Sequence, residues 1–247
     1  MQDERYLQLL SRKFPNAQSV VTELINLRAI LSLPKGTEHF VSDLHGEANA
    51  FIHMIKNASG VIRKKVDEAY GDSLCEEEKR ALCALIYYPD ERIDLVKRRH
   101  KGQPNNALQE GFDYSNMYEW YKRRLHQVVA IARAITIKYT RSKVYKHLPK
   151  DYAYVIKELL HESSLEQKDR QAYYNAVIEA IIETGCAEQL LISITYFIHS
   201  MAIDILHVVG DIFDRGPRPH KIVDVLSTIR DYDIQWGNHD IEWMGAM

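Results

Sequence analysis

Three runs of strand-forming residues in this chain each end in a cluster of carboxylate, imidazole and amide side chains, and a fold that serves them must bring three strand ends together. The first run, His39-Phe40-Val41, leads into Ser42-Asp43-Leu44-His45-Gly46. The second, Ile205 to Val209, ends in Gly210-Asp211, with Asp214-Arg215-Gly216 just beyond. The third, Tyr232 to Trp236, ends in Gly237-Asn238-His239-Asp240. The second run is mostly apolar and rich in β-branched residues, as expected for a buried strand, and the third fits another. In open α/β sheets, ligands bind outside the carboxyl ends of the strands. Side chains alternate along a strand, so Asp43 and His45, two apart, can face one ion.

The rest of the chain has helical periodicity. Leu7, Leu10 and Phe14, then Val20, Leu24, Leu27 and Leu31, predict two N-terminal helices separated by Pro15. Residues 47 to 200 are almost entirely helical in pattern. Ser73 with Glu76 reads as a capping box for a helix running through Tyr88 and stopped by Pro89. Ser115 is the expected cap of a long helix with Trp120, Val128, Ala132 and Ile135 on one stripe. Ser164 with Gln167 is a second expected capping box, and Gly185 an expected C-cap. An apolar helix over 187–201 and a helix over 220–230 complete the pattern, with no internal repeat.

Lys plus Arg total 32 and Asp plus Glu 34, a balance that argues against a dedicated nucleic-acid binder. The cysteines, Cys75, Cys83 and Cys186, form no CxxC pair and point to a reducing compartment. The N-terminus lacks a signal-peptide core, and no stretch approaches the ~20 apolar residues of a membrane span. A soluble cytoplasmic protein with no membrane partner is expected.

The three clusters contain ligands suited to Mn²⁺, Fe or Zn. Two such ions ~3.5–4 Å apart can clamp a phosphoryl group and generate a hydroxide nucleophile. That spacing requires a carboxylate able to bridge them, and Asp211 is the natural candidate. A DxH or GNH alone occurs often by chance, whereas all three clusters in order, each after a strand-like run, form a specific signal. Asp240 reads as structural.

Together SDLHG, GDIFDRG and GNHD resemble the metallophosphoesterase superfamily, and the DRG ending its phosphoprotein-phosphatase-like branch. The resemblance implies two divalent ions, with Asp43 and His45 on the first, Asp211 bridging and Asn238 on the second. It implies that Arg215 holds phosphate oxygens, and that His239 protonates the leaving alkoxide with Asp214 paired to it. The pairing suits general-acid work, because a carboxylate keeps an imidazolium charged and oriented. The implied fold is α/β, the first half of an αββα sandwich with a large helical insertion between the first and second motifs.

That insertion discriminates further, since 168 residues separate Asp43 from Asp211. It resembles the class III fructose-1,6-bisphosphatases of bacteria, as do the flanking GTEHFVSDLHGEANAFIHMIKNASGVIRKKV, HVVGDIFDRGPRPHKIVD and WGNHDIEWMGA. The resemblance implies Mn²⁺-dependent hydrolysis of a small sugar phosphate, fructose 1,6-bisphosphate, to fructose 6-phosphate in gluconeogenesis. Residues 1–46 are expected to form N-terminal helices and the first core strand, 47–200 the insertion, and 201–247 the remaining core strands. A phosphoprotein phosphatase-like enzyme or dinucleotide polyphosphate hydrolase is the alternative of the same chemistry. A non-catalytic regulatory or oligomerisation module is the alternative of another class, and homo-oligomer contacts are expected through the insertion.

The same family also draws on two histidines from later strands, one for each ion, whereas 7 residues follow Asp240. A piece of a longer enzyme (truncated, split or proteolysed) is therefore expected, binding metal weakly and turning over little. Within the insertion, residues 92–146 hold 13 Lys plus Arg against 4 Asp plus Glu. They read either as an anion site or, the plainer expectation, as solvated helix faces.

Overall fold

The computed structural model describes residues 2–101, 116–161 and 168–246. The chain is α/β and mostly helical, with a small parallel sheet of three strands, β1 (Glu38–Val41), β2 (Ile205–Val209) and β3 (Tyr232–Gln235), ordered β1-β2-β3. Glu38 pairs with Ile205 and Val41 with Val208 on one side of β2, and Leu206 with Tyr232 and Val209 with Gln235 on the other. Parallel neighbours share a direction, so the three ligand-bearing loops emerge side by side from one edge.

Two N-terminal helices, α1 (Gln2–Lys13) and α2 (Ala17–Ile30), precede the sheet. Between β1 and β2 run α3 (Ala48–Asn57), α4 (Val61–Tyr70), α5 (Glu76–Tyr87), α6 (Pro89–His100), α7 (Met117–Thr136), α8 (Arg141–His147), α9 (Ala153–His161), α10 (Lys168–Glu183) and α11 (Ala187–Ala202). After β2 come α12 (Pro219–Thr228) and, past β3, α13 (Asn238–Gly245).

The helical block has its own core, organised on α7. The predicted stripe of Trp120, Val128, Ala132 and Ile135 is buried, against Ile62 of α4, Tyr174 and Ile178 of α10, and Leu191 and Ile198 of α11. A second, smaller core lies under the sheet, where Leu206 and Val208 meet Ala48 and Phe51 of α3 and Ile222 and Leu226 of α12. Gly185, at φ +75°, ends α10 in a double-bonded cap, with the Gly185 N–H donating to Ile182 O and the Cys186 N–H to Ile181 O.

Some local expectations shift. The cap of α5 is Cys75, whose N–H donates to Glu78 Oε2 at 3.2 Å, while the Ser73 hydroxyl donates to Tyr70 O. Pro89 ends α5 but also occupies the first turn of α6, where a missing N–H costs nothing. The cap of α7 is Asn116, which accepts the Glu119 N–H at 3.2 Å. Ser115 and the Ser164–Gln167 pair lie outside the described residues.

Burial of the strands is the larger correction. The helices packed on the sheet, α3 and α12, touch each other and so share one face. Ile205 and Val209 of β2 and Tyr232 of β3 are exposed, and on β1 Phe40 is 70% exposed, stacked on His207 at 4.4 Å between ring centres. Apolar composition signalled strands covered on both faces, yet among the described residues one face is covered. Exposed apolar side chains also gather on α2 (Val20, Leu24, Ile25, Leu27), which buries none of its residues. No described helix is long and apolar enough to cross a membrane.

Candidate metal centre

The loops after β1 and β2 leave their strands through left-handed backbone. Asp43 (φ 56°), His45 (φ 44°), Asp211 (φ 59°) and Arg215 (φ 64°) all lie there, a region non-glycine residues enter only when surrounding structure over-determines it. That structure is a lace of main-chain bonds between loops far apart in sequence. The His45 N–H donates to Asp211 O at 2.7 Å, the Gly46 N–H to Ile212 O at 2.9 Å, and the Gly216 N–H to His45 O at 2.7 Å.

Glycine is required for this closeness. A Cβ on Gly216 would fall 2.1 Å from His45 O, and one on Gly237 would fall 2.0 Å from Asp211 Oδ1. Gly216→Ala is therefore expected to force the first two loops apart, destabilising the sheet region by ~2–4 kcal/mol and weakening divalent-cation binding together. Urea unfolding followed beside Mn²⁺ titration checks this, and unchanged values for both would refute the interlock.

Asp240 joins the third loop to the second. Its side chain is fully buried, and Oδ2 accepts the N–H groups of Asp211 at 2.7 Å and Gly237 at 3.0 Å. Oδ1 accepts those of Ile212 at 2.8 Å and Phe213 at 3.2 Å. Four main-chain donors on one carboxylate give Asp240 the structural role expected for it, and a larger one than its sequence context suggested. A further bond, from the His239 N–H to Asp211 Oδ1 at 3.2 Å, fixes the Asp211 side chain from the third loop.

The outcome is a compact donor set. Ligand atoms of Asp43, His45 and Asp211 all lie within 4.8 Å of one another, the spacing of groups able to share a cation. Asn238, the first residue of α13, is exposed one position before His239, whose amide holds Asp211.

Asp214 meets both histidines. One oxygen makes a short contact with His45 Nδ1, and the other lies 3.4 Å from His239 Nδ1 and 3.1 Å from Arg215 Nε. Desolvation opposes its charge, but the hydrogen bond from His45 and the positive charges of His239, His45 and Arg215 outweigh it and hold the Asp214 carboxyl below its usual range. The expected Asp214–His239 pair is thus one side of a three-residue arrangement. Nothing in the spacing signalled the His45 contact, which leaves His45 Nε2, 3.6 Å from Asp43 Oδ1, as that ring's free donor atom. A carboxylate on the far nitrogen is the usual way a metal-binding imidazole is oriented. Arg215, with its side chain 69% exposed, projects from this cluster toward solvent.

The chain is 51% identical over 245 residues to a class 3 fructose-1,6-bisphosphatase of Phocaeicola vulgatus, covering 99% of this chain and 34% of that protein. It is 51% identical over 244 residues to the one of Bacteroides thetaiotaomicron, covering 99% and 34%. With that of Clostridium botulinum strain Loch Maree the identity is 49% over 242 residues, covering 98% and 34%. The chain thus spans about a third of the length of these relatives. No solved structure matches it. The model of the Firmicute fructose-1,6-bisphosphatases matches residues 5–247, and the chain belongs to that family.

Proposed function

We propose that the protein hydrolyses a phosphate monoester, fructose 1,6-bisphosphate, to fructose 6-phosphate and phosphate, in the cytoplasm, as a gluconeogenic step. The observation that supports metal-dependent hydrolysis is the convergence of Asp43, His45 and Asp211 within 4.8 Å at the strand ends, and the choice of sugar rests on the likeness to class 3 fructose-1,6-bisphosphatases. In this reading the chain supplies the first part of an αββα metallophosphoesterase core, with residues 47–200 inserted as a helical block.

Asp43, His45 and Asp211 would hold one divalent ion, and Asp211 with Asn238 a second, Mn²⁺ being the proposed metal. Such ions supply Lewis acidity toward a phosphoryl oxygen and a water made acidic enough to act as nucleophile. The chain's own residues do the rest. Arg215 offers a guanidinium fork whose geometry matches two phosphate oxygens. His239 is the proton donor to the departing sugar oxygen. Asp214, 3.4 Å from His239 Nδ1, holds that imidazole in place for proton transfer. Its contact with His45 sets the tautomer that presents Nε2 to the metal.

The test is phosphate release from fructose 1,6-bisphosphate, a phosphoserine peptide and a dinucleotide polyphosphate, with Mn²⁺ and with excess EDTA. Slow release from the sugar bisphosphate that is lost in EDTA and restored by Mn²⁺ is expected, since the chain spans about a third of its relatives' length. Preference for the peptide or dinucleotide would shift the reading to the alternative substrates, and metal-independent release would end it.

A further inference from the structure

A sizeable cavity lies at the opposite edge of the sheet from the candidate metal centre. It has a volume of about 1170 Å³, and Gly36, Asp204 and Asp231, which stand just before β1, β2 and β3, form part of its lining. Strands of this length separate the two edges by roughly 15 Å. We propose that this cavity is a binding site for a small organic phosphate, a monoester with an apolar body, separate from the metal-binding loops.

Charge is the first argument. Six cationic side chains, Lys35, Lys56, Lys138, Lys143, Lys146 and Arg230, line the cavity against the two carboxylates of Asp204 and Asp231. Asp204 is already saturated: it accepts the Thr37 N–H at 2.6 Å and the Tyr139 hydroxyl, and pairs with Lys143 and, at 3.5 Å, with Lys138. No carboxylate among the described residues pairs with Lys35, Lys146 or Arg230, and the Arg230 head lies 3.4 Å from His147 Nε2. Cations left without a counter-charge around a concave site attract a dianion.

The second argument is the apolar part of the lining. Ile30, Leu33, Ile55 and Ile203 supply apolar surface, which inorganic phosphate has no use for and an organic ester does. The third is His199, which also lines the cavity. Burial pushes its pKa down to about 4, against a bond to the Ile86 backbone, so the ring is neutral at physiological pH. Its Nε2 is buried and lacks a hydrogen-bond partner among the described residues, so the ring adds a neutral polar group behind the lining. The basic character of residues 92–146 therefore divides. Lys97, Lys122 and Arg123 pair with Glu188, Glu179 and Glu78 on helix faces, whereas Lys138, Lys143 and Lys146 face the cavity.

Calorimetric titration with phenyl phosphate in EDTA tests this, since chelation silences the metal-binding loops. Saturable binding is expected in the parent protein and in Asp211→Asn, with phenol giving none. The triple variant Lys35→Gln, Lys146→Gln, Arg230→Gln is expected to bind at least about tenfold more weakly. All three side chains are exposed, so the variant should keep the parent's melting temperature. No saturable binding at millimolar ester, loss of binding in Asp211→Asn, or undiminished binding in the triple variant would each overturn the proposal.

Discussion

Asp240→Ala is expected to lower stability by about 4 kcal/mol or more and to abolish Mn²⁺ binding, though its side chain is no ligand in the proposed centre. The substitution leaves the N–H groups of Asp211, Ile212, Phe213 and Gly237 without their acceptor in a fully buried place. A buried donor stripped of its partner costs ~1–3 kcal/mol, and water entering the vacated space relieves part of the total. For a chain of this length, that loss corresponds to a melting temperature lower by roughly 10 °C. Asp240→Asn separates charge from geometry. Its amide oxygen can serve one pair of N–H groups, but its NH₂ then faces the other pair, so a loss approaching that of alanine is expected. Thermal unfolding of the metal-free protein is the measurement, and an Asp240→Ala melting point within a few degrees of the parent would refute the role.

Asp211→Asn should do the opposite: leave the metal-free fold nearly untouched and remove function. The asparagine oxygen can still accept the His239 N–H that Asp211 Oδ1 accepts at 3.2 Å, so the packing of the loops survives. What disappears is the anionic charge shared with Asp43 and His45. Mn²⁺ affinity is expected to fall at least 100-fold. Phosphate release should slow by roughly 10³-fold, about 4 kcal/mol of transition-state stabilisation. A rate within tenfold of the parent in Mn²⁺ would show that the chemistry lies elsewhere. The two variants form a pair, because both lose metal but only Asp240→Ala melts early.

What the sequence made legible was local chemistry in a local pattern. Asp43 and His45 stand two apart after a strand, and the texture of residues 205–211 marks a strand end, so convergence of these groups could be read in advance. Legible too were helices whose apolar stripe repeats over several turns, such as the one through Trp120 and Ile135. What was not legible around the site depends on partners distant in the chain. Asp214 meets His45 across 169 positions, and Asp240 serves amides up to 29 positions away, which no local pattern encodes. The burial of β2 and β3 was misjudged because apolar composition does not say which face a helix will cover. The cap of α5 was misplaced because Ser73 and Glu76 satisfy a motif that Cys75 and Glu78 fill in space.

The interlacing of the first and second loops bears on how the protein acquires its shape. Their hydrogen bonds join residues more than 160 positions apart, so the ends of the helical block must return to within bonding distance of each other. Closing a chain segment costs entropy that grows only with the logarithm of its length, so a block of this size adds about 1.5 kcal/mol over a thirty-residue crossover. Block size is thus thermodynamically cheap but kinetically demanding. Pairings of such high contact order form late, after local helices have collapsed. Refolding should therefore pass through a species with its helices built and its cation-binding loops still apart.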